Sequence, residues 1–210
     1  MISGAKMPGE GWRGLRRALA ALALGCAAWP AAAFELPELM ALLAQQRSGE
    51  AHFTEQRFVQ GLDAPLEASG TLSFAAPDRF TRHTLTPRAE SMVVDGNTLT
   101  LTRSGRSRRF ALDATPEMVA LVEAVRGTLT GNAQTLTRYF RTALAGDAAH
   151  WTLDLTPIES RLAGQVRSVR IAGRQGELNS IQMQLAGGDR SVMSIEPVRA
   201  AAAASAPAAP

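Results

Sequence analysis

Lysine and cysteine are almost absent from this chain of 210 residues, and each occurs once, near the N-terminus, as Lys6 and Cys26. A single cysteine excludes an intrachain disulfide and a cluster of thiolate metal ligands. Beyond residue 33, the 18 Arg are balanced by 18 Asp and Glu. Nucleic-acid binding by a basic domain requires surplus positive charge to neutralise phosphates, so this balance argues against it.

Catalytic motifs are missing as well. The three histidines, His52, His83 and His150, stand in no metal-ligand spacing, and the chain has neither a GxSxG elbow nor a P-loop. We therefore predict no metal, no cofactor and no catalytic residue. A domain without such residues is expected to be a binding protein or a carrier. The alternative is a lipid-tailoring enzyme, for which the sequence nominates no catalytic residue.

Residues 1–33 have the pattern of a secretory signal peptide. Arg13, Arg16 and Arg17 precede an apolar run that is too short for a membrane-spanning helix, which needs about 20 residues. The small residues 31–33 form a cleavage site, so the mature chain is expected to start at Phe34 in the periplasm. Acylation of Cys26 in a lipoprotein signal and a retained membrane anchor are the alternatives.

The remaining chain is expected to form one domain over 34–198, followed by a disordered Ala/Pro tail at 199–210. Apolar spacing predicts a first helix from Pro37 to Arg47 and then strands as far as Leu112. Two further helices are predicted at 116–126 and 133–140, and strands resume after Gly146. This order indicates an α+β fold, in which a strongly curved antiparallel sheet or incomplete β-barrel carries helices against one face.

One stretch is specific enough to indicate a family. Its spaced residues are Gly70, Leu72, Phe74, Pro77, Arg79 and Phe80, followed by Pro87 and then by Met92-Val93-Val94-Asp95-Gly96 with Leu99. This order resembles the LolA family of periplasmic carriers of outer-membrane lipoproteins. The resemblance spans 34–197 and is strongest over 50–101.

The resemblance implies an apolar cavity under a helical lid, in a monomer that shuttles acylated lipoprotein or lipid between membranes. Its partners would be an inner-membrane release complex and an outer-membrane acceptor. The expected cavity residues are Phe53, Leu72, Phe74, Phe80, Met92, Val94, Leu99, Leu101 and Phe110. The expected lid residues are Met118, Leu121, Val122, Val125, Leu136 and Phe140.

The chain departs from the family where an Arg normally precedes the strand-ending Pro. Ala76 occupies that position, so Arg79 or Arg82 is the candidate for holding the lid or docking a partner. The cargo stays open between a lipoprotein and another lipid intermediate, and a sensory binding module like RseB is the functional alternative. The arginines of 103–109 are either a solvated sheet face or a docking surface for an acidic partner or lipid headgroups.

Overall fold

The computed structural model describes residues 34–114 and 116–198. The predicted signal peptide, its cleavage site and the Ala/Pro tail therefore lie outside the described residues. Within the described part, no helix is long and apolar enough to cross a membrane.

Eleven strands and four α-helices make up this part of the chain. The helices are α1 (Leu36–Leu43), α2 (Pro116–Thr130), α3 (Ala133–Tyr139) and the single turn α4 (Ser160–Ala163). The first six strands are β1 (Ser48–Phe58), β2 (Leu66–Ala75), β3 (Arg79–Thr86), β4 (Glu90–Asp95), β5 (Thr98–Arg103) and β6 (Arg106–Ala111). The last five are β7 (Phe140–Gly146), β8 (Trp151–Pro157), β9 (Val166–Arg174), β10 (Glu177–Leu185) and β11 (Arg190–Pro197).

All the strands belong to one open antiparallel sheet. Its order is β6-β5-β4-β3-β2-β1-β11-β10-β9-β8-β7, so the first and last strands pair in the middle. The two edge strands, β6 and β7, are joined through α2 and α3. The chain therefore has the α+β fold predicted above, an incomplete barrel with helices against one face.

The register places the apolar side chains of neighbouring strands on the same face. Phe74 pairs with Phe80, Phe80 with Val94, and Val94 with Leu99, which in turn lies opposite Phe110. Partners in an antiparallel pair point to the same side, so this row runs across β2 to β6 on one face. We call it the concave face, because it is the side on which the helices and the buried clusters lie.

The largest buried cluster lies in the other half of the sheet. It joins α1 and α3 to the inner side of β7, β8 and β9. Trp151, Leu153, Leu155 and Ile171 from the strands are at most 2% exposed, and so are Leu39 and Leu136 from the helices. Two smaller clusters lie around Phe53 and around Leu99. Most of the burial that stabilises the domain is therefore found in the half of the sheet from β7 to β9.

The first helix is shorter than predicted and ends at Leu43. It begins with a capping box, in which the Glu38 carboxylate accepts a hydrogen bond of 3.3 Å from the backbone N–H of Glu35, and Pro37 lies in its first turn. Residues 44–47 add no large apolar side chain to its stripe, and β1 starts at Ser48. The helix therefore ends where its buried face ends.

The second helix is longer than predicted, because Gly127 does not interrupt it. Gly127 is buried, and a Cβ there would lie 3.1 Å from the Leu136 side chain of α3. The glycine therefore allows α2 and α3 to approach closely instead of breaking the helix. The helix ends at Thr130, and the φ of +66° at Gly131 suits the residue that follows a helix C-terminus.

The third helix ends at Tyr139, and Phe140 begins β7, a strand that the sequence reading did not predict. Phe140 is 1% exposed and lies opposite Pro157 of β8. The predicted helix 133–140 was therefore one residue too long at its C-terminal end, because Phe140 is buried against β8 as part of the sheet.

Candidate functional site

A cavity of about 270 Å³ lies between α2 and the concave face of the sheet. Its lining comes from four strands and one helix. Met183 of β10 lies in it together with Phe74 of β2, although β1 and β11 separate these strands. The sheet must therefore curve around this space. The lining residues are Phe74, Asp78, Arg79, Phe80, Met92, Val94, Val122, Val125, Arg126, Leu129 and Met183.

The cavity is apolar because two periodicities meet there. On the sheet, Phe80 stands between Phe74 and Val94 in a single row. On α2, Val122 and Val125 are three residues apart and Leu129 follows four later, so all three lie on one side of the helix. The two apolar surfaces form the walls of the cavity, and three charged residues add polar groups to its lining.

These three charged residues are Asp78, Arg79 and Arg126. The Arg126 guanidinium donates a hydrogen bond of 2.7 Å to the carbonyl oxygen of Gly96, in the turn between β4 and β5, and also pairs with Glu123. It thereby joins α2 to the sheet. The Arg79 side chain is 63% exposed and lies 3.9 Å from the Asp95 carboxylate.

The opposite face of α2 packs on the main core through small residues. Ala124, Gly127 and Thr128 are buried there, and the Thr128 hydroxyl donates a hydrogen bond to the Ala124 carbonyl oxygen at 2.7 Å. Small side chains bury little apolar area, so α2 is held to α1 and α3 less firmly than a helix with leucines at these positions.

A polar cluster interrupts the concave face beside the cavity. Arg82 of β3 donates to the Glu55 carboxylate at 2.5 Å, and its guanidinium lies 4.5 Å from the centre of the Phe53 ring. The Ser191 hydroxyl donates to the second oxygen of Glu55, also at 2.5 Å. Arg82 faces the same side as its strand neighbour Met92, which lines the cavity.

The structure brings together some of the residues predicted for the cavity. Phe74, Phe80, Met92 and Val94 line it, as do Val122 and Val125 of the expected lid. The remaining expected residues lie elsewhere. Phe53 and Leu72 belong to one buried cluster, Leu99 and Leu101 to another, Phe110 is exposed on β6, and Leu136 and Phe140 are buried in the main core. The side chains of Met118 and Leu121 lie outside the described residues.

The two arginines proposed for holding the lid have other contacts. Arg79 lies near Asp95, and Arg82 is bonded to Glu55. A guanidinium does join α2 to the sheet, but it is that of Arg126, on the helix itself. The predicted helix ended at residue 126 and therefore left out Leu129. Arg126 lay at its last position, but the sequence does not indicate that its side chain reaches the Gly96 carbonyl. The expected cavity residues did not include Met183, because neither strand periodicity nor the resemblance indicates that β10 faces β2.

No group of three or more His, Cys, Asp or Glu side chains among the described residues could hold a metal ion. On the convex face, Arg170 donates to both oxygens of the Asp154 carboxylate, at 2.7 and 3.0 Å. These hydrogen bonds, and then the charge of Asp154, raise the pKa of Arg170 above its usual value.

Residues 27–210 match the family model described as "outer membrane lipoprotein carrier protein LolA-like". No curated protein matches the chain. Among solved structures, the chain is similar to a LolA superfamily protein, NE2245 from Nitrosomonas europaea, with 13% identity and a TM-score of 0.44 over 80% of this chain and 96% of that one.

Two further structures are similar at the same level. A putative outer membrane lipoprotein-sorting protein domain from Vibrio parahaemolyticus is 10% identical, with a TM-score of 0.38 over 76% of this chain and 88% of that one. The Pseudomonas aeruginosa MucA/MucB complex contains a chain that is 12% identical, with a TM-score of 0.42, covering 80% of this chain and 59% of that one.

Proposed function

This chain belongs to the family of LolA-like outer-membrane lipoprotein carriers, and we propose that it binds the acyl chains of a lipid or lipoprotein in the cavity under α2. In this proposal it is a periplasmic carrier and not an enzyme. It takes cargo from an inner-membrane release complex and gives it to an outer-membrane acceptor.

The observation that carries this proposal is the apolar lining of the cavity. Each methylene of an acyl chain that moves from water into an apolar cavity stabilises the complex by about 0.8 kcal/mol, so this lining favours such a chain. Phe74, Phe80 and Met92 provide aromatic and flexible thioether surfaces of the kind that accommodates ligands of variable shape. Transfer then needs no covalent step, since cargo passes to whichever acceptor binds it more favourably.

The small volume of the cavity supports the hypothesis that α2 moves away from the sheet when cargo binds. The volume of about 270 Å³ is below the range of about 300–1,000 Å³ that is usual for ligand pockets. Several acyl chains would therefore fit only after α2 has moved away from the sheet. We call α2 the lid in this sense. Its attachment through Arg126 and through small residues is consistent with such a movement.

A blocked cavity tests the proposal. Val125→Trp places an indole in the space between α2 and the sheet, where Val125 lines the cavity. We expect the variant to fold and to lose at least about tenfold in affinity for a fluorescent fatty acid, because the indole occupies the site of the acyl chain. The measurement is a fluorescence titration, with lipid extracted from the purified protein identified by mass spectrometry.

Val192→Trp is the matched control, because Val192 is partly buried outside the cavity on β11. It should bind the probe like the unmodified protein. Equal probe affinity in a folded Val125→Trp variant would contradict the assignment of the cavity as the acyl site.

A further inference from the structure

Arginines continue the concave face beyond the cavity, towards the free edge of the sheet. Met92 lines the cavity, its partner on β5 is Leu101, and the partner of Leu101 on β6 is Arg108. The next row places Glu90 opposite Arg103, and Arg103 opposite Arg106. Arg106 and Arg108 therefore face the same side as the cavity residues.

The charge on this part of the concave face is unbalanced. Arg103 bonds to Glu90 at 2.6 Å, and Arg82 bonds to Glu55. Arg106 and Arg108 are exposed and form no ion pair with any residue that the structure describes. Two positive charges thus lie beside the apolar cavity without an acidic partner from the described chain.

The spacing of these arginines suits one anionic group. Residues two apart on a strand lie about 6.8 Å apart on the same side, so both guanidinium groups can reach a single phosphate. Arg108 is two strand spacings, about 9.6 Å, from Met92 across the sheet. An amphiphile with its acyl chain at Met92 would therefore have its headgroup near Arg106 and Arg108.

We infer that the ligand of this site is an amphiphile with a phosphate-bearing headgroup, which Arg106 and Arg108 bind while the cavity holds its acyl chain. This inference rests on the function proposed above and adds the chemistry of the headgroup. Arginine suits the role because its planar guanidinium donates two parallel hydrogen bonds to phosphate oxygens. Arg109 follows Arg108 directly and faces the convex side, because its partner Thr100 alternates with Leu99 and Leu101.

The test compares two ligands that differ only in phosphate. Lauroyl lysophosphatidic acid and monolauroyl glycerol share one acyl chain, and each is titrated calorimetrically below its critical micelle concentration. The unmodified protein should bind the phosphate ligand about tenfold more tightly, since hydrogen bonds to charged groups are stronger than neutral ones. The variant Arg106→Gln/Arg108→Gln should lose this preference and keep its affinity for monolauroyl glycerol.

Arg109→Gln/Arg141→Gln is the matched control, because it also removes two exposed positive charges, both from the convex side. It should keep the preference for phosphate. Equal loss in both double variants would show a general charge effect and overturn the inference. A lack of preference in the unmodified protein, with monolauroyl glycerol still bound, would overturn the inference and leave the carrier function standing.

If neither ligand binds, the carrier function itself fails. Flotation with vesicles of phosphatidylcholine, with and without phosphatidylglycerol, tests whether the two arginines bind a membrane surface instead of the headgroup of a single lipid. If Arg106→Gln/Arg108→Gln weakens vesicle binding while the unmodified protein shows no preference between the monomeric ligands, the arginines dock on membranes and the inference is wrong.

Discussion

At the scale of single residues, the ion pair of Glu55 and Arg82 stands out because it lies among apolar side chains of the concave face, beside the cavity. The two side chains are only 15% and 25% exposed. Each charge has lost much of its hydration, and each is compensated by the other and by Ser191 and the Phe53 ring. Removing one partner should therefore lower the free energy of unfolding by more than the net contribution of the ion pair.

We expect Glu55→Leu to lower the free energy of unfolding by about 1–3 kcal/mol, because it leaves Arg82 partly buried without its carboxylate. The double variant Glu55→Leu/Arg82→Met should recover much of this loss, since two apolar side chains need no compensation. Urea denaturation of the single and double variants measures both effects.

The exposed pair of Asp154 and Arg170 provides the control. Asp154→Leu should change stability much less than Glu55→Leu, because solvent screens an exposed pair. A double variant at Glu55 and Arg82 that is less stable than the single one would contradict this account of the concave face.

At the scale of elements, strand alternation proved more informative than helix boundaries. In the sequence, apolar and polar residues alternate over 66–74 and after the turn Asp95-Gly96-Asn97, and apolar residues precede that turn. These patterns coincide with β2, β4 and β5 within one or two residues, because one face of each strand packs inwards. The predicted second helix stopped too early, before Gly127, because the sequence does not distinguish a buried glycine inside a helix from a glycine that ends one. Whether a partner such as Leu136 lies against it depends on tertiary packing.

The candidate site was predictable only in part, for the same reason. Phe74, Phe80, Met92 and Val94 belong to strands that are neighbours both in sequence and in the sheet, so local patterns indicate their common face. Met183 comes from β10, and its approach to β2 depends on the curvature of the whole sheet. Similarly, Leu129 could be assigned to the lid only once α2 was known to pass through Gly127, and the contact of Arg126 with the Gly96 carbonyl depends on how α2 packs on the sheet.

The lid has a direct test in Val122→Glu, since Val122 lines the cavity and is partly buried. A carboxylate there disfavours the closed lid and the bound acyl chain together, whereas the sheet keeps its core. We expect a cooperative thermal melt and at least about a tenfold loss of affinity for the fluorescent fatty acid.

Leu136→Glu is the comparison, because Leu136 is fully buried in the main core. It should abolish the cooperative melt. If Val122→Glu also abolishes it, α2 is a permanent part of the core and the lid hypothesis fails.

At the scale of the whole molecule, the main core and the proposed ligand site lie in different halves of one sheet. The large core joins α1 and α3 to β7, β8 and β9, whereas the cavity lies against β2, β3 and β4 and reaches β10. The half with fewer buried side chains can open locally without unfolding the rest. For the carrier function proposed above, this division would keep the fold intact while ligand enters and leaves.

Hydrogen exchange measured residue by residue should show this division directly. We expect the amides of β8 and β9 to exchange only through global unfolding, and those of α2 to exchange faster through a local opening. Arg126→Met removes the hydrogen bond to the Gly96 carbonyl and should speed exchange in α2 by about tenfold, equivalent to about 1.4 kcal/mol. Exchange in β8 should change little, and Arg138→Met on the exposed side of α3 should leave α2 unaffected. Equal protection of α2 and β8 in the unmodified protein would mean that the domain opens only as a unit, and ligand exchange would then need another route than movement of α2.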